Sequence, residues 1–338
     1  MGEKIKALDS AIIKREIVQD CCADGNIYHI AFVGTANYLQ HTGVTMTSIL
    51  LSNPNMIFSF HLFINGIENE DKRKLQQLAL QTKSGLSLYY VDDGAFQDML
   101  LPDGVASCFY RFVIPSVLWK EQVKRVLCLD SDLMCQGNLR TFMEMDLEGK
   151  LMAGVEDTSP EIAEKCKRRV GTQEYFNAGV MLIDIDPWMK EKIGEKAAEM
   201  AIERVRSGAK YTSHDQDIFN ILLDGKFKLA ERKYNYIYNL EVRGLFKHQP
   251  PLIYDSGAVL VHFAAYVKPW RTWVQALPGV QKYNEYRLGS LWKECPLEGI
   301  KKYKDAHQAA RWARRRRKYV EAFILYLKYL KMKLCNNM

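Results

Sequence analysis

The chain has 338 residues, 48% of them hydrophobic and 26% charged, so it can bury a sizeable core and lacks the composition of a disordered segment. Its net charge of +7 arises at one end, because residues 301–338 carry 12 lysines and arginines and two acidic residues, and a nucleic-acid-binding body is therefore not expected. With no visible signal peptide, membrane-spanning apolar run or zinc-type cysteine spacing, the sequence predicts a cytoplasmic protein whose eight cysteines are reduced.

Apolar runs alternate with amphipathic ones through the first half of the chain. We predict a polar, partly helical lead over residues 1–26, strands at 28–34, 58–65, 86–91 and 126–129, and helices at 42–51, 70–82 and 109–119, the last interrupted near Pro115. This alternation predicts an α/β, Rossmann-type fold with a mostly parallel sheet and helices on both faces. Ligands of such sheets bind beyond the carboxyl ends of the strands.

The second half is less regular. It predicts strands at 151–155, 180–185 and 259–263, helices at 186–207 and 215–223, and a turn of small residues at 175–180. From residue 301 a run of arginines precedes apolar residues interrupted by lysines, which predicts a basic amphipathic helix on an anionic membrane surface. The alternative is a helix that packs on the core and solvates its basic face. We therefore divide the chain into a lead (1–26), a main domain (27–275) and a helical, basic C-terminal extension (276–338).

Residues 126–132 combine an apolar run with two carboxylates at its end. Val-Leu-Cys-Leu predicts a buried strand, and Asp130 and Asp132 follow it one residue apart, so both side chains should point the same way. Adjacent carboxylates repel, and a cation that prefers oxygen ligands, such as Mg²⁺ or Mn²⁺, relieves the repulsion. A cation held by two carboxylates keeps positions open for nucleotide phosphates. The alternative for so short a motif is an Asp-rich turn.

Other segments place polar residues where ligands commonly bind. His262, at the end of a predicted strand, is a candidate third metal ligand that favours Mn²⁺, and Lys268 in the following loop could place a charge on a phosphate. The helix that starts near Asp215 offers backbone N–H groups to an anion. Each residue also has an ordinary explanation, as a core histidine, a solvated lysine or a helix cap. Their joint order along the chain favours the functional interpretation.

Taken in order, these segments resemble the retaining glycosyltransferases of family eight, which use nucleotide-sugar donors. The resemblance spans residues 27–270, and the chain's length and basic, aromatic C-terminal extension are similar to those of bacterial lipopolysaccharide core glucosyl- and galactosyltransferases. The matching segments are 30–38, 110–111, 129–132, 175–180, 215–217 and 262–270.

The resemblance implies a GT-A-like fold and a role for each matching residue. Asp130, Asp132 and His262 would bind Mn²⁺, with Mg²⁺ as the other possibility, and Gln216 and Asp215 would act at the reaction centre. The acceptor would contact Glu156 or its neighbour Asp157. The residues implied in binding the UDP-sugar donor are Thr35, Asn37, Arg111, Asp130, Asp132, Asn177, Gly179 and Lys268.

Two positions depart from the family pattern. Many relatives have an Asp where Thr35 stands, and its carboxylate receives the uracil N–H, whereas Thr35 offers an uncharged acceptor. Relatives often have a glycine two or three residues after the metal-binding histidine, whereas this chain has Ala264 and Ala265. Both differences bear on how the nucleotide would be held.

The function implied is transfer of glucose or galactose from UDP-sugar to a hexose of the lipopolysaccharide outer core, with the α configuration retained and a 1,2 linkage slightly favoured over 1,3. The enzyme would act at the inner face of the inner membrane. Because the amide of Gln216 is a poor nucleophile, we expect front-face attack with the leaving phosphate as base. The alternatives are action on another glycan, a self-modifying priming transferase and a non-catalytic nucleotide-sugar-binding protein. A dehalogenase-type phosphohydrolase is disfavoured, since Leu133 and Met134 stand where that family has Gly-Thr.

Overall fold

The computed structural model describes residues 8–21, 25–100, 104–157, 160–208, 213–242 and 252–336. The strands are β1 (Ile12–Gln19), β2 (Ile27–Gly34), β3 (Ile57–Ile64), β4 (Gly85–Val91), β5 (Arg125–Leu129), β6 (Leu133–Cys135), β7 (Met152–Glu156), β8 (Phe176–Asp184), β9 (Phe227–Leu229), β10 (Tyr236–Ile237) and β11 (Leu260–His262). The α-helices are α1 (Leu39–Ser52), α2 (Asn69–Thr82), α3 (Ile114–Lys120), α4 (Arg140–Met143), α5 (Pro160–Val170), α6 (Ile185–Lys190), α7 (Ile193–Ser207), α8 (His214–Leu222), α9 (Pro278–Gly289), α10 (Tyr303–Arg315) and α11 (Tyr319–Asn336).

An eight-stranded sheet in the order β1-β4-β3-β2-β5-β8-β7-β9 forms the centre of the molecule. The pairs β4–β3, β3–β2, β2–β5 and β7–β9 are parallel, whereas β1–β4, β5–β8 and β8–β7 are antiparallel. The crossovers between the parallel strands β2, β3, β4 and β5 contain α1, α2 and α3. The prediction of an α/β fold with a mostly parallel sheet is confirmed.

Each face of the sheet buries a separate apolar core. Along β2, Ile30 and Phe32 point into one core and Ala31 into the other, because successive strand residues face opposite sides. In β5, Leu127 and Leu129 join the first core, while Val126 and Cys128 join the second. Both strands are buried on two faces, which explains their unbroken apolar runs.

The predicted helical lead is wrong over Ile12–Gln19, which form the edge strand β1, antiparallel to β4. Its isoleucines and valine favour an extended chain, but the charged residues 14–16 lie on the exposed edge and obscure the alternation. A 3₁₀ turn covers Leu8–Ala11. Residues 1–7 and 22–24 of the lead lie outside the described residues.

Three other predicted elements have different boundaries. Residues 176–179 belong to β8 and are not a turn before it, although the register with β7 shifts there, since Gly154 pairs with Met181 and Val155 with Asn177. The predicted helix 186–207 is two helices, α6 and α7, which are separated where Lys192 adopts a φ of +54°. The predicted helix 109–119 is a 3₁₀ segment followed by α3, whose first turn accommodates Pro115.

The C-terminal residues form a helical hairpin on the main body. Trp312 of α10 donates its Nε1–H to the carbonyl of Leu240 (2.7 Å), and Arg311 donates to the carbonyl of Val242 (2.9 Å). α11 packs on α10. Among the described helices, none combines the length and apolarity needed to cross a bilayer.

Candidate active site

The two carboxylates of the 126–132 motif lie in the link between the main sheet and a small three-stranded sheet. Asp130 and Asp132 stand between β5 and β6, and β6 pairs antiparallel with β11, so that Leu133 faces His262. Backbone bonds hold this link, from Asp130 N to Gly179 O and from Phe263 N to Asp132 O (both 3.0 Å). The small sheet, which was not predicted, therefore brings His262 to the end of β5.

One ligand atom from each of Asp130, Asp132 and His262 lies within 4.8 Å of the other two. The imidazole Nε2 is 3.5 Å from Asp130 Oδ2 and 3.3 Å from Asp132 Oδ1. The second oxygen of each carboxylate pairs with a cationic side chain, Asp130 with the buried Arg111 and Asp132 with the partly buried Lys268. Each carboxylate is thereby oriented to offer one oxygen to the space in front of the imidazole.

The ionisation of Asp132 and Lys268 is set by the charged side chains around them. Burial alone would raise the pKa of Asp132, but Lys268 and His262 reverse the effect and hold that pKa well below its usual range. Burial would likewise lower the pKa of Lys268, yet contact with Asp132 raises it. Asp132 and Lys268 are therefore a carboxylate and an ammonium at neutral pH.

The donor set and its shape fit a divalent cation. Two carboxylate oxygens and one imidazole nitrogen suit Mn²⁺, with Mg²⁺ also compatible with the oxygens. Gly179 leaves room for the side chains of His262 and Asp130, since a Cβ at this position would lie 2.4 Å from His262 Cε1 and 2.6 Å from Asp130 Oδ2. A larger residue here would force the imidazole or the Asp130 carboxylate to move.

Arg111 connects the Asp130–Asp132–His262 cluster with the start of α8. Its guanidinium donates to Asp130 and to Asp215, and its side chain is 9% exposed. The two carboxylates raise its pKa against the opposing effect of burial. Asp215 is likewise buried, so the sequence-predicted residues of the cation and of the reaction centre form one continuous polar group.

Gln216 is held by four hydrogen bonds. Its Oε1 accepts from Ala178 N (3.0 Å) and Asn177 Nδ2 (3.1 Å), and its Nε2 donates to Asp157 Oδ2 (3.0 Å) and to the hydroxyl of Tyr175 (3.2 Å). This uses both acceptor and both donor positions of the amide. Gln216 is therefore fixed in a single orientation.

Of the two predicted acceptor contacts, Asp157 lies against Gln216 and Asn177, whereas Glu156 does not. Asp157 Oδ1 also accepts from Asn177 Nδ2 (3.4 Å). The carboxylate of Glu156 is 40% exposed and pairs with Lys167 of α5 (3.4 Å). The alternation of side chains at the end of β7 separates the two residues.

The predicted nucleotide-side residues lie in the loop that follows β2. Thr35 is half-buried and begins the 3₁₀ turn Ala36–Tyr38, and Asn37 is exposed there. The loop lies beside the carboxylate pair, because Ser131 Oγ donates to the carbonyl of Val33 (3.3 Å). Parallel pairing of β2 with β5 places both carboxyl ends together.

The loop after His262 adopts a glycine-type backbone without a glycine. Ala265 has a φ of +81°, in the region that side chains other than glycine rarely occupy. Lys268 Nζ donates to the carbonyl of Phe263 (3.1 Å) across this loop. Ala265 thus carries a strained conformation that a glycine would adopt freely.

Sequence reasoning missed Asn235 and gave no role to Tyr175 or Asp217. Asn235 Oδ1 lies 3.0 Å from His262 Nδ1, and Asn235 Nδ2 donates to Asn177 Oδ1 (3.0 Å). The hydroxyl of Tyr175 donates to the fully buried Asp217 (2.5 Å), which also pairs with Arg169. Tyr175 and Asp217 stand inside recognised segments, whereas Asn235 follows no pattern.

Comparison with known families matches two segments of the chain. Residues 29–274 match the model of glycosyl transferase family 8, and residues 278–333 match that of the glycosyl transferase family 8 C-terminal domain. The lipopolysaccharide 1,3-galactosyltransferase of Salmonella typhimurium is 28% identical over 92% of this chain and 93% of its own. The lipopolysaccharide 1,2-glucosyltransferase of Escherichia coli K12 is 28% identical over 79% of both chains.

Solved structures share the fold. The galactosyltransferase LgtC, in complex with donor and acceptor sugar analogues, superposes with a TM-score of 0.63 at 23% identity, covering 78% of this chain and 96% of its own. The bifunctional glycosyltransferase WbbM also gives a TM-score of 0.63, at 19% identity, covering 81% of this chain and 52% of its own. The GT-A-like architecture predicted from the sequence is confirmed.

Proposed function

The chain belongs to glycosyl transferase family 8, and from this premise we propose that it transfers glucose or galactose from a UDP-sugar to a hexose of the lipopolysaccharide outer core, with retention of configuration. The observation that carries the proposal is the Asp130–Asp132–His262 cluster at the carboxyl end of β5, where two carboxylates and an imidazole converge. The lipopolysaccharide acceptor is supported by the two relatives, each 28% identical to this chain. We favour a 1,2 linkage over a 1,3 linkage.

The cluster is suited to a diphosphate leaving group. A divalent cation held by Asp130, Asp132 and His262, Mn²⁺ before Mg²⁺, would supply Lewis-acid stabilisation of the charge on UDP as the glycosidic bond breaks. Lys268 adds a partly buried positive charge at the same place. Preorganised charges of this kind stabilise a developing anion without reorganisation.

Retention is best explained by attack from the face that UDP leaves. A double displacement would need a nucleophile on the other face, and both lone pairs of Gln216 Oε1 already accept hydrogen bonds. Asp215 is a better nucleophile, but its carboxylate pairs with Arg111. We therefore assign Gln216 and Asp215 to positioning the sugar, with the leaving phosphate as base and Asp157 on the acceptor side.

We further propose that the transferase domain covers residues 27–275 and that the extension 276–338 binds the cytoplasmic surface of the inner membrane. Seven residues of α11 expose large apolar side chains: Tyr319, Val320, Phe323, Ile324, Leu327, Leu330 and Leu334. Their spacing of three and four residues places most of them along one stripe. The exposed Arg317, Lys318, Lys328 and Lys331 adjoin it, a composition suited to an anionic lipid surface that presents the acceptor.

The test is UDP release by the purified full-length protein from UDP-glucose and from UDP-galactose, with Mn²⁺, Mg²⁺ or EDTA. We expect cation-dependent release from one sugar nucleotide, lost in Asp132→Ala and unchanged in Asp98→Ala, a control at an exposed aspartate. A truncated outer core should then accept the sugar, and NMR of the product gives the linkage and anomeric configuration. No release and no binding of either sugar nucleotide would contradict the proposal.

A non-catalytic nucleotide-sugar-binding protein is the second candidate. The three ligands and the oriented Gln216 favour catalysis over binding alone. The same assay separates the two, because a binding protein would bind UDP-sugar without releasing UDP.

A further inference from the structure

Four hydrogen bonds in one chain connect His262 of the candidate metal site to Asp157 on the acceptor side. This chain runs from His262 Nδ1 to Asn235 Oδ1, from Asn235 Nδ2 to Asn177 Oδ1, from Asn177 Nδ2 to Gln216 Oε1, and from Gln216 Nε2 to Asp157 Oδ2. The donor–acceptor distances lie between 3.0 and 3.1 Å. Every internal member donates on one side and accepts on the other, so the chain has a direction.

We propose that Asn235 is a positioning residue that couples the cation-bound form of His262 to the orientation of Gln216 and Asp157. We call this chain of hydrogen bonds, from His262 to Asp157, the relay. The inference rests on the proposed function, because it takes His262 as a ligand of the cation. When His262 Nε2 coordinates a cation, Nδ1 must carry the ring proton and donate to Asn235 Oδ1. The amide of Asn235 then donates its N–H to Asn177 Oδ1. Asn177 and Gln216 each accept at the oxygen in the same way, so each donates its N–H to the next member of the chain.

The surroundings leave little freedom to invert this chain. Asn235 and His262 are 1% and 2% exposed, so water cannot replace a lost partner without a cavity. Asn177 Oδ1 also accepts from Gly179 N (3.0 Å), and Gln216 Oε1 from Ala178 N (3.0 Å). Turning either amide over would face an N–H group with a backbone N–H.

The direction of the chain has a chemical consequence at its far end. It points Gln216 Nε2 at the carboxylate of Asp157 and keeps Gln216 Oε1 on the backbone of β8. An inverted Gln216 would instead place an amide oxygen against that carboxylate. The direction that the backbone N–H groups impose on the chain is thus the one that a cation-bound His262 requires, and it holds the acceptor-side carboxylate in line with the cation site.

Two substitutions of Asn235 separate its two hydrogen bonds. In Asn235→Asp the new carboxylate still accepts from His262 Nδ1 but has no proton for Asn177. We expect Mn²⁺ affinity at or above that of the wild type, because carboxylates are common partners of metal-bound imidazoles. We also expect kcat for UDP release at saturating Mn²⁺ to fall by about tenfold or more, an order-of-magnitude figure for a misplaced reacting group.

In Asn235→Ala both bonds are lost. We expect Mn²⁺ affinity to fall by roughly 10–100-fold, the usual effect of removing such a partner, and kcat at saturating Mn²⁺ to fall as well. Asn138→Asp is the matched control, since its exposed amide oxygen accepts from Arg140 N (2.8 Å) and the substitution keeps that acceptor. Mn²⁺ affinity is measured by electron paramagnetic resonance on nucleotide-free full-length protein, independently of turnover.

Results for the wild type and the variants answer different questions. Failure of the wild type to bind Mn²⁺ would overturn both the proposed function and the relay. A functional wild type with a fully active Asn235→Asp variant, or with unchanged Mn²⁺ affinity in Asn235→Ala, would overturn the relay alone. If a variant does not fold, ¹⁵N NMR of histidine-labelled wild type with diamagnetic Mg²⁺ decides, with the His262 signals assigned by His262→Gln. The relay requires an Nδ1–H that is hydrogen-bonded with cation bound; an Nδ1–H without a hydrogen bond would overturn the relay alone, and an Nε2–H tautomer would overturn both the relay and the proposed cation site.

Discussion

Gly179 lies directly beneath His262, and a Cβ at position 179 would come within 2.4 Å of His262 Cε1. Gly179→Ala must therefore displace the imidazole or the Asp130 carboxylate. We predict a loss of Mn²⁺ affinity of about tenfold or more, by analogy with other disturbances of ligand orientation.

Gly66→Ala is the control for this prediction, because a Cβ there meets no atom within 4 Å. Isothermal titration with Mn²⁺ compares the two variants. Wild-type affinity in Gly179→Ala would show that the ligands do not occupy the arrangement described.

The φ of +81° at Ala265 strains the backbone. Glycine adopts such angles freely, so Ala265→Gly should raise the free energy of unfolding by about 0.5–1 kcal/mol after its own entropy cost is subtracted. Ala264→Gly, one residue earlier and without a positive φ, should instead lower it. Urea unfolding measures both, and equal losses in the two variants would contradict the assignment of strain.

His61 makes the protein sensitive to acid at a place remote in sequence from the site. It is buried on β3, with Nε2 2.9 Å from His29 Nδ1 and Nδ1 3.0 Å from the hydroxyl of Tyr89. Burial and the neighbouring His29 hold its pKa well below the usual value of 6.5. Below pH 6.5 His61 therefore binds a proton in the unfolded chain but stays neutral in the folded chain. The free energy of unfolding consequently falls as the pH drops through this value.

Between pH 7.5 and 5.5 this one group should remove about 1.4 kcal/mol from the free energy of unfolding. His61→Gln has no such proton to bind, so its loss over the same interval should be smaller by about that amount. Urea unfolding at both pH values measures the difference. Identical losses in wild type and variant would mean that His61 is not held neutral.

The apolar stripe of α11 should direct membrane binding. Phe323 and Leu327 are 63% and 49% exposed. Replacing both by serine should lower partitioning onto phosphatidylglycerol vesicles by about tenfold or more, since each side chain loses apolar burial at the interface. Leu80→Ser on α2 removes an equally exposed leucine (56%) elsewhere and should leave partitioning unchanged.

Co-sedimentation measures this binding. It should weaken in high salt, because basic residues contribute to it. Equal partitioning of all three proteins would contradict a role for α11.

The sequence was informative where a local pattern carries the structure. The buried strand before Asp130 and the helix containing Gln216 follow from hydrophobic periodicity, and parallel pairing of β2 with β5 then brings their carboxyl ends together. His262 was a candidate ligand from its place at the end of a predicted strand, but only the family resemblance grouped it with Asp130 and Asp132, since a single histidine on a short strand has no pattern of its own.

The remaining features depend on contacts between distant residues. Asn235 reaches His262 and Asn177 across 27 and 58 residues of chain, from a short 3₁₀ segment that resembles an ordinary polar loop. The strands β6 and β10 are three and two residues long, too short for periodicity to register, and the pairing of the predicted strand β11 with them had no sequence signal. Ala265 is a further case, because no residue propensity predicts a positive φ at an alanine.

The most direct test of the central claim is a crystal of the protein grown with Mn²⁺ and UDP and measured for anomalous scattering. We predict one strong manganese peak coordinated by Asp130 Oδ2, Asp132 Oδ1 and His262 Nε2, with diphosphate oxygens completing the coordination. UDP bound without a manganese peak at these three atoms, or a peak elsewhere, would contradict it.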